Sequence, residues 1–280
     1  MMTSGTQHST GKNGFTVENL RFSQGGKTLL EDLQLRVGQG EFVCLFGPGG
    51  SGKTVLLRLL AGLEIPGFGR VAWNDRLVAG QDLERGLIFQ DCGLFPWMSL
   101  QDNIIMALDA ASPNTPSLRN RQLAGEYLAL AGLDAISHKR PLEITRGQRQ
   151  RGAIARALAL GSPALLLDDP FCVLDPPERM LLQDLLTLAW ASLTPRRTVV
   201  LATQDLDEAL YLADRIIGLG PALGPAIVDV SIAAPRPRER NALYAAPEFQ
   251  TLRRQINDLY RQERRRRMVA TSFFGLGEGI

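Results

Sequence analysis

Cysteine is scarce in this chain, with three among 280 residues. Cys44, Cys92 and Cys172 lie far apart and form no metal-ligand spacing, which excludes a thiolate-built metal motif. The pattern predicts buried thiols acting as small hydrophobes in a reducing compartment. Long hydrophobic runs are lacking too. No stretch approaches the roughly 20 apolar residues that span a bilayer. Residues 1–14 are polar and Gly/Ser/Thr-rich, without the apolar centre of a signal peptide, so they read as a flexible tail. Nor does one sign of charge dominate: a net +2 gives bulk electrostatics no preferred partner. Few aromatics interleave with the basic residues, which removes nucleic acid from the expected partners. What remains is 45% hydrophobic and 21% charged, ample for a core. A soluble, cytoplasmic protein is the expectation.

Residues 15–22 and 29–37 read as strands, and 38–40 as a turn. Residues 41–46 (EFVCLF) form a dense apolar strand that ends in a glycine-rich loop, and 53–63 follow a helical pattern closing near Gly62. Residues 100–160 are Ala- and Leu-rich, broken by Pro, Asn and Ser at 112–117. Helical periodicity over 119–133 and 149–160 makes this stretch a mostly helical insertion. Short apolar strands return at 164–167 and 198–203, as in a parallel sheet whose working edge lies at the strand ends. Residues 178–193 supply a crossover helix. Residues 234–240, with three arginines and two prolines, look like a linker. Beyond it, within 241–280, Phe249, Leu252, Ile256 and Leu259 share one face of a final helix.

Residues 47–54, Gly-Pro-Gly-Gly-Ser-Gly-Lys-Thr, fit the pattern G-x-x-x-x-G-K-[ST] in full. Glycines 47, 49, 50 and 52, with Ser51, let backbone N–H groups turn inward on phosphates. Lys53 is placed to reach the β- and γ-phosphates, and the Thr54 hydroxyl can ligate Mg²⁺. The following helix directs its positive end at the same anion. Such a loop needs a second carboxylate for the metal at the end of a neighbouring apolar strand. The run ALLLD supplies Asp168. The reading is a site for ATP and Mg²⁺.

These residues and the motifs after them resemble the nucleotide-binding subunits of ABC transporters over residues 15–240. Gln90 in LIFQDCGLFPW looks like the family's Q-loop. Thr145, Arg146, Gly147 and Gln148 in ITRGQRQRGAIARAL resemble its signature and following helix. Residues 173–175, ending in Asp175, match the D-loop, and ATQDLDEAL lies where the switch-histidine segment belongs. LFPWMSLQDNI and RPRER are most similar to importers of the nitrate, sulfonate and taurine group. The resemblance implies an α/β P-loop NTPase with a RecA-like core, an antiparallel β-subdomain and an α-helical subdomain over about 100–160. It implies two ATP molecules sandwiched with a second ABC ATPase subunit, in a homodimer or heterodimer. Transmembrane permease subunits would dock near residues 94–100, a periplasmic or surface solute-binding protein would join indirectly, and the chain would lie at the cytoplasmic face of the membrane. Gln90 would touch Mg²⁺ and the attacking water. Phe22 falls where the family stacks an aromatic on adenine, or is a core strand residue.

The family pattern breaks where hydrolysis depends on it. Asp169 stands in place of the glutamate that polarises water. It is one methylene shorter, a withdrawal of about 1–1.5 Å of the kind that costs on the order of 10²-fold in rate. Gln204 replaces the switch histidine, and the chain's two histidines, His8 and His138, lie elsewhere. An amide donates a hydrogen bond but shuttles no proton near neutral pH. Arg146 replaces a signature glycine: its bulk blocks closure on the opposing site, or its guanidinium pairs with phosphate. Gly49 and Val55 depart mildly. Binding is expected to be intact and hydrolysis weakened; the other role for such a chain is a non-hydrolysing partner in a heteromeric assembly. The run Arg264–Arg267 docks on anionic lipid or another subunit, or ends the helix in solvent.

Overall fold

The computed structural model describes residues 14–90, 93–191, 195–220 and 226–274, with side chains to residue 262. Expectations on the tail, His8, Cys92 and the side chains of Arg264–Arg267 lie outside the described residues. The chain opens with β1 (Gly14–Gln24), β2 (Lys27–Gly38), β3 (Phe42–Phe46) and α1 (Lys53–Ala61), then β4 (Phe68–Trp73), β5 (Arg76–Leu77) and β6 (Arg85–Ile88). Three helices follow, α2 (Leu100–Ala111), α3 (Ser117–Leu130) and α4 (Arg146–Leu160). Then come β7 (Ala164–Asp168), α5 (Pro176–Ala191), β8 (Thr198–Thr203), α6 (Leu206–Leu212), β9 (Arg215–Gly218) and β10 (Val228–Ser231). The chain closes with α7 (Arg240–Ala245) and α8 (Pro247–Phe274).

The strands form two sheets, a four-stranded antiparallel one in the order β2-β1-β4-β5 and a six-stranded one in the order β10-β9-β3-β8-β7-β6. The second is parallel except at β10, which runs antiparallel to β9. Its central strands are apolar along their middles because both faces are covered. Phe42, Cys44 and Phe46 of β3 face one core with α4, α5 and α6, while Val43 and Leu45 face the other with α1 and the antiparallel sheet. The same alternation sends Leu165 and Leu167 to the first core and Leu166 to the second. A third core joins α2, α3 and α4 through Ile104, Leu128 and Ala155. The three helices fall within the helical stretch expected over 100–160.

Three expectations are corrected. Residues 234–240 are not a loose linker. Arg238 is buried (8% exposed) and donates to the carbonyls of Leu210, Tyr211 and Ala213 at 3.3, 2.8 and 2.7 Å. Arg240 bonds Gln183 and Asp184 and covers the Tyr211 ring at 3.7 Å. Leu259 is exposed, and the helix face that seats α8 runs through Phe249, Ile256 and the half-buried Tyr260 instead. Cys172 is exposed, whereas Cys44 is buried as expected.

Arg238→Ala leaves buried carbonyls without their donor, at a cost of about 3 kcal/mol and roughly 5–10 °C in Tm. A calorimetric Tm within about 1 °C of wild type would return the segment to linker status.

Candidate functional site

The parallel sheet places the carboxyl ends of β3, β8 and β7 side by side, and the candidate residues gather there. The loop from β3 into α1 is forced into shape by close neighbours. Gly52 has φ +86°, and a β-carbon on it would lie 2.6 Å from Leu30 Cδ2 and 3.0 Å from the Leu29 carbonyl. A β-carbon on Gly47 would meet the Leu219 carbonyl at 2.6 Å. Lys53 is folded under the loop, donating to the carbonyls of Gly47 (2.6 Å) and Pro48 (2.9 Å) and to Ser51 Oγ (3.3 Å). Burial lowers the pKa of its ammonium, and Asp169 and Asp168 offset part of that. Gly50 has φ +78° and open space where a side chain would stand. Val55 packs half-buried under the antiparallel sheet. Phe22 sits in that same core, 7% exposed and paired with Leu30. The burial of Phe22 accords with the core-residue reading.

Thr54 Oγ1 donates to Asp168 Oδ1 at 3.0 Å. Adjacent oxygens of an octahedral Mg²⁺ at about 2.1 Å lie about 3.0 Å apart, so this hydroxyl–carboxylate pair fits that ion, with phosphate oxygens supplying further ligands. Burial raises the pKa of Asp168, opposed by the Thr54 hydrogen bond and by Lys53. Asp169 is held at φ +47°, which short polar residues tolerate best, and its N–H donates to the Ala202 carbonyl. Burial raises its pKa too, Lys53 lowers it, Asp168 raises it, and a hydrogen bond with Gln204 lowers it. The Gln204 oxygen in turn lies 3.7 Å from where a β-carbon on Gly49 would be. Gln204 thus lies between Asp169 and the glycine loop. Gln90 points its amide at Cys172 Sγ, 3.5 Å away, rather than at the carboxylates.

Thr145 caps α4 in a reciprocal pair, Gln148 N to Thr145 Oγ1 at 3.2 Å and Thr145 N to Gln148 Oε1 at 2.9 Å. Arg146, the first helical residue, is exposed. Gly147 is buried, and a β-carbon there would meet Glu178 Oε2 at 2.5 Å. Asp175 accepts from Glu178 N at 2.9 Å, capping α5.

Two features escaped the sequence reading. Asn103, fully buried, exchanges hydrogen bonds with Phe95 (2.8 and 3.2 Å) and donates to Ser99 O (2.9 Å), fixing the loop that exposes Trp97 at 65%. Glu208 is 5% exposed beside Gln204 and lines, with Asp169, Arg179, Arg253 and Asn257, a cavity of about 540 Å³. Glu208 Oε1 lacks a partner, while its carboxylate accepts from Gln183 at 2.9 Å. A polar residue one turn into a short helix carries no sequence signal of burial.

The ABC transporter family profile matches residues 30–172. The chain is 40% identical over 242 residues to the nitrate import ATP-binding protein NrtD of Synechococcus elongatus, covering 85% of this chain and 87% of that protein. It is 36% identical over 232 residues to the bicarbonate transport ATP-binding protein CmpD of the same organism, covering 82% of each. Among solved structures it resembles the ATP-binding cassette MJ0796, dimeric and bound to ADP and Pi in a post-hydrolysis state. The TM-score is 0.70 at 27% identity, over 79% of this chain and 99% of that one.

Burial, with Asp205 and Asp169 nearby, raises the pKa of Glu208 from 4.5 to about 7. Below 4.5 both folded and unfolded chains are protonated; between 4.5 and about 7 only the folded chain keeps the proton, so stability falls as pH rises through that window. At 1.36 kcal/mol per unit the loss is at most about 3 kcal/mol. Glu208→Gln should match wild type in Tm at about pH 4.5 and exceed it at pH 8. An unchanged pH slope in the variant would contradict this assignment.

Proposed function

The chain belongs to the ABC transporter family, and from that premise we propose that it is the ATP-binding subunit of an importer of the nitrate or bicarbonate type. ATP binding rests on one observation above all: Thr54 and Asp168 meet 3.0 Å apart beside the glycine loop, with Lys53 folded beneath it. A bound triphosphate would take over the ammonium of Lys53 from the Gly47 and Pro48 carbonyls. Backbone N–H groups of the loop and the start of α1 would hold the phosphate oxygens. Thr54 and Asp168 would hold Mg²⁺, which supplies charge neutralisation at the β- and γ-oxygens. Gln204, lying over Gly49, is within reach of a γ-phosphate as a donor.

Hydrolysis in this chain's own site would be slow. Asp169 is the short carboxylate in the water-polarising place, and its hydrogen bond with Gln204 turns it toward an amide that accepts no proton near neutral pH. Arg146 stands exposed at the signature, where a glycine is usual. The partners are a second ATP-binding subunit and transmembrane permease subunits, the latter meeting the Trp97 loop; a solute-binding protein joins through the permease. These supports fit a peripheral position at the membrane, and no helix among the described residues is long and apolar enough to cross one. The same three residues support a second reading, a subunit that binds ATP without turning it over and stabilises a heteromeric pair.

The two readings separate on restoration. The variant Asp169→Glu, Gln204→His, Arg146→Gly should raise kcat for ATP hydrolysis by on the order of 10²-fold if those side chains limit a working site. Wild-type turnover already at the restored level, and lost on Lys53→Ala, would contradict an impaired site.

A further inference from the structure

The C-terminal helix α8 reaches the back of the candidate site at two polar points. Tyr260 packs its ring edge-on against Phe46, with centroids 4.9 Å apart at 76°. Its hydroxyl lies 2.9 Å from the Phe46 carbonyl and 3.0 Å from the Leu219 carbonyl, a single donor shared between the ends of β3 and β9. Phe46 is the residue before Gly47, and the Leu219 carbonyl is the atom that bounds Gly47 from behind. Leu219 N also donates to the Phe46 carbonyl at 2.8 Å, so the three groups form one small network at the root of the phosphate loop. Gly218 makes room for it: a β-carbon there would lie 2.6 Å from the Tyr260 hydroxyl. Burial raises the pKa of Tyr260, so the hydroxyl keeps its proton at neutral pH.

Two turns earlier on the same helix, Arg253 donates from Nε and Nη2 to the two oxygens of Asp207, at 2.6 and 2.8 Å. Asp207 lies in the first turn of α6, whose cap, Asp205, directly follows Gln204. Between these contacts Ile256 is 1% exposed, and before them Phe249 is 5% exposed. The apolar side chains therefore seat the helix on the core. Its polar contacts fall on the two backbone segments that shape the site, one under the glycine loop and one beside the switch residue.

We propose that α8 is a positioning element of the nucleotide site, with Tyr260 setting the root of the phosphate loop and Arg253 setting the turn that carries Gln204. The proposal rests on the ATP-binding reading above. The two contacts differ in weight. The half-buried Tyr260 hydroxyl bonds carbonyls screened from water. The Phe46 carbonyl keeps its bond from Leu219 N when the hydroxyl is removed, so the loss falls on the local geometry more than on global stability. Arg253 and Asp207 are both close to half exposed, so their pairing is screened.

The test uses the full chain and a fluorescent ATP analogue with Mg²⁺, measuring Kd alongside the Tm of the nucleotide-free protein. Tyr260→Phe, which keeps the ring, should weaken binding about three- to tenfold with Tm within about 2 °C of wild type. Arg253→Asp should weaken it about two- to fivefold, and the charge swap Arg253→Asp with Asp207→Arg should restore it. Affinities within about 1.5-fold of wild type in both single variants would overturn the proposal, as would losses that only parallel Tm and are not restored by the swap. Those results leave the ATP reading standing. A wild-type affinity no better than that of Lys53→Ala would overturn both.

Discussion

The hydrogen bond from Thr54 to Asp168 ties the first turn of α1 to the last residue of β7, and much of the architecture is arranged so that these two can meet. The strands that lead to them, β3 into α1 and β7, are not neighbours: β8 runs between them. Because all three are parallel, their carboxyl ends share one edge, and β8 delivers Gln204 to the gap between the glycine loop and the two aspartates. The sheet's double-sided burial makes that edge rigid. The loop leaving β3 has backbone on both sides, with Leu29 and Leu30 of the antiparallel sheet over Gly52 and Leu219 behind Gly47. Only glycine fits those contacts, and so the loop has one shape.

The residues around the loop are held in two different ways. The groups suited to holding a triphosphate, Lys53, Thr54 and Asp168, are fixed by short hydrogen bonds to their surroundings. The groups nearer the place of attack are held by one another instead. Asp169 and Gln204 engage each other, and Gln90 faces Cys172 across 3.5 Å. Three carboxylates, Asp168, Asp169 and Glu208, are pushed toward the protonated form chiefly by burial.

Much of this was legible in the sequence because it depends on local pattern. The apolar runs 41–46, 164–167 and 198–203 are strands, and the glycine loop is recognisable from spacing alone. Phe22 was ambiguous since a strand aromatic looks the same whether it faces a core or a ligand; its burial shows only in the fold. The arginines at 236, 238 and 240 read as part of a linker because their partners lie elsewhere in the chain. Arg238 is satisfied by carbonyls at the end of α6, 25–28 residues earlier. The short strands β5 and β9 have too few residues for an alternation to show, and pair through long-range contacts. Asn103 and Glu208 went unnoticed for the same reason: a polar residue within a helical pattern announces a solvent face, and tertiary packing reversed that.

The central claim is that the Thr54–Asp168 pair makes the glycine loop a site for ATP with its magnesium. Titration calorimetry of ATP with and without Mg²⁺, on wild type and Thr54→Val, tests it most directly. The account predicts that Mg²⁺ tightens ATP binding to wild type and has little effect on the variant. ATP binding that is indifferent to Mg²⁺ in both proteins would contradict it.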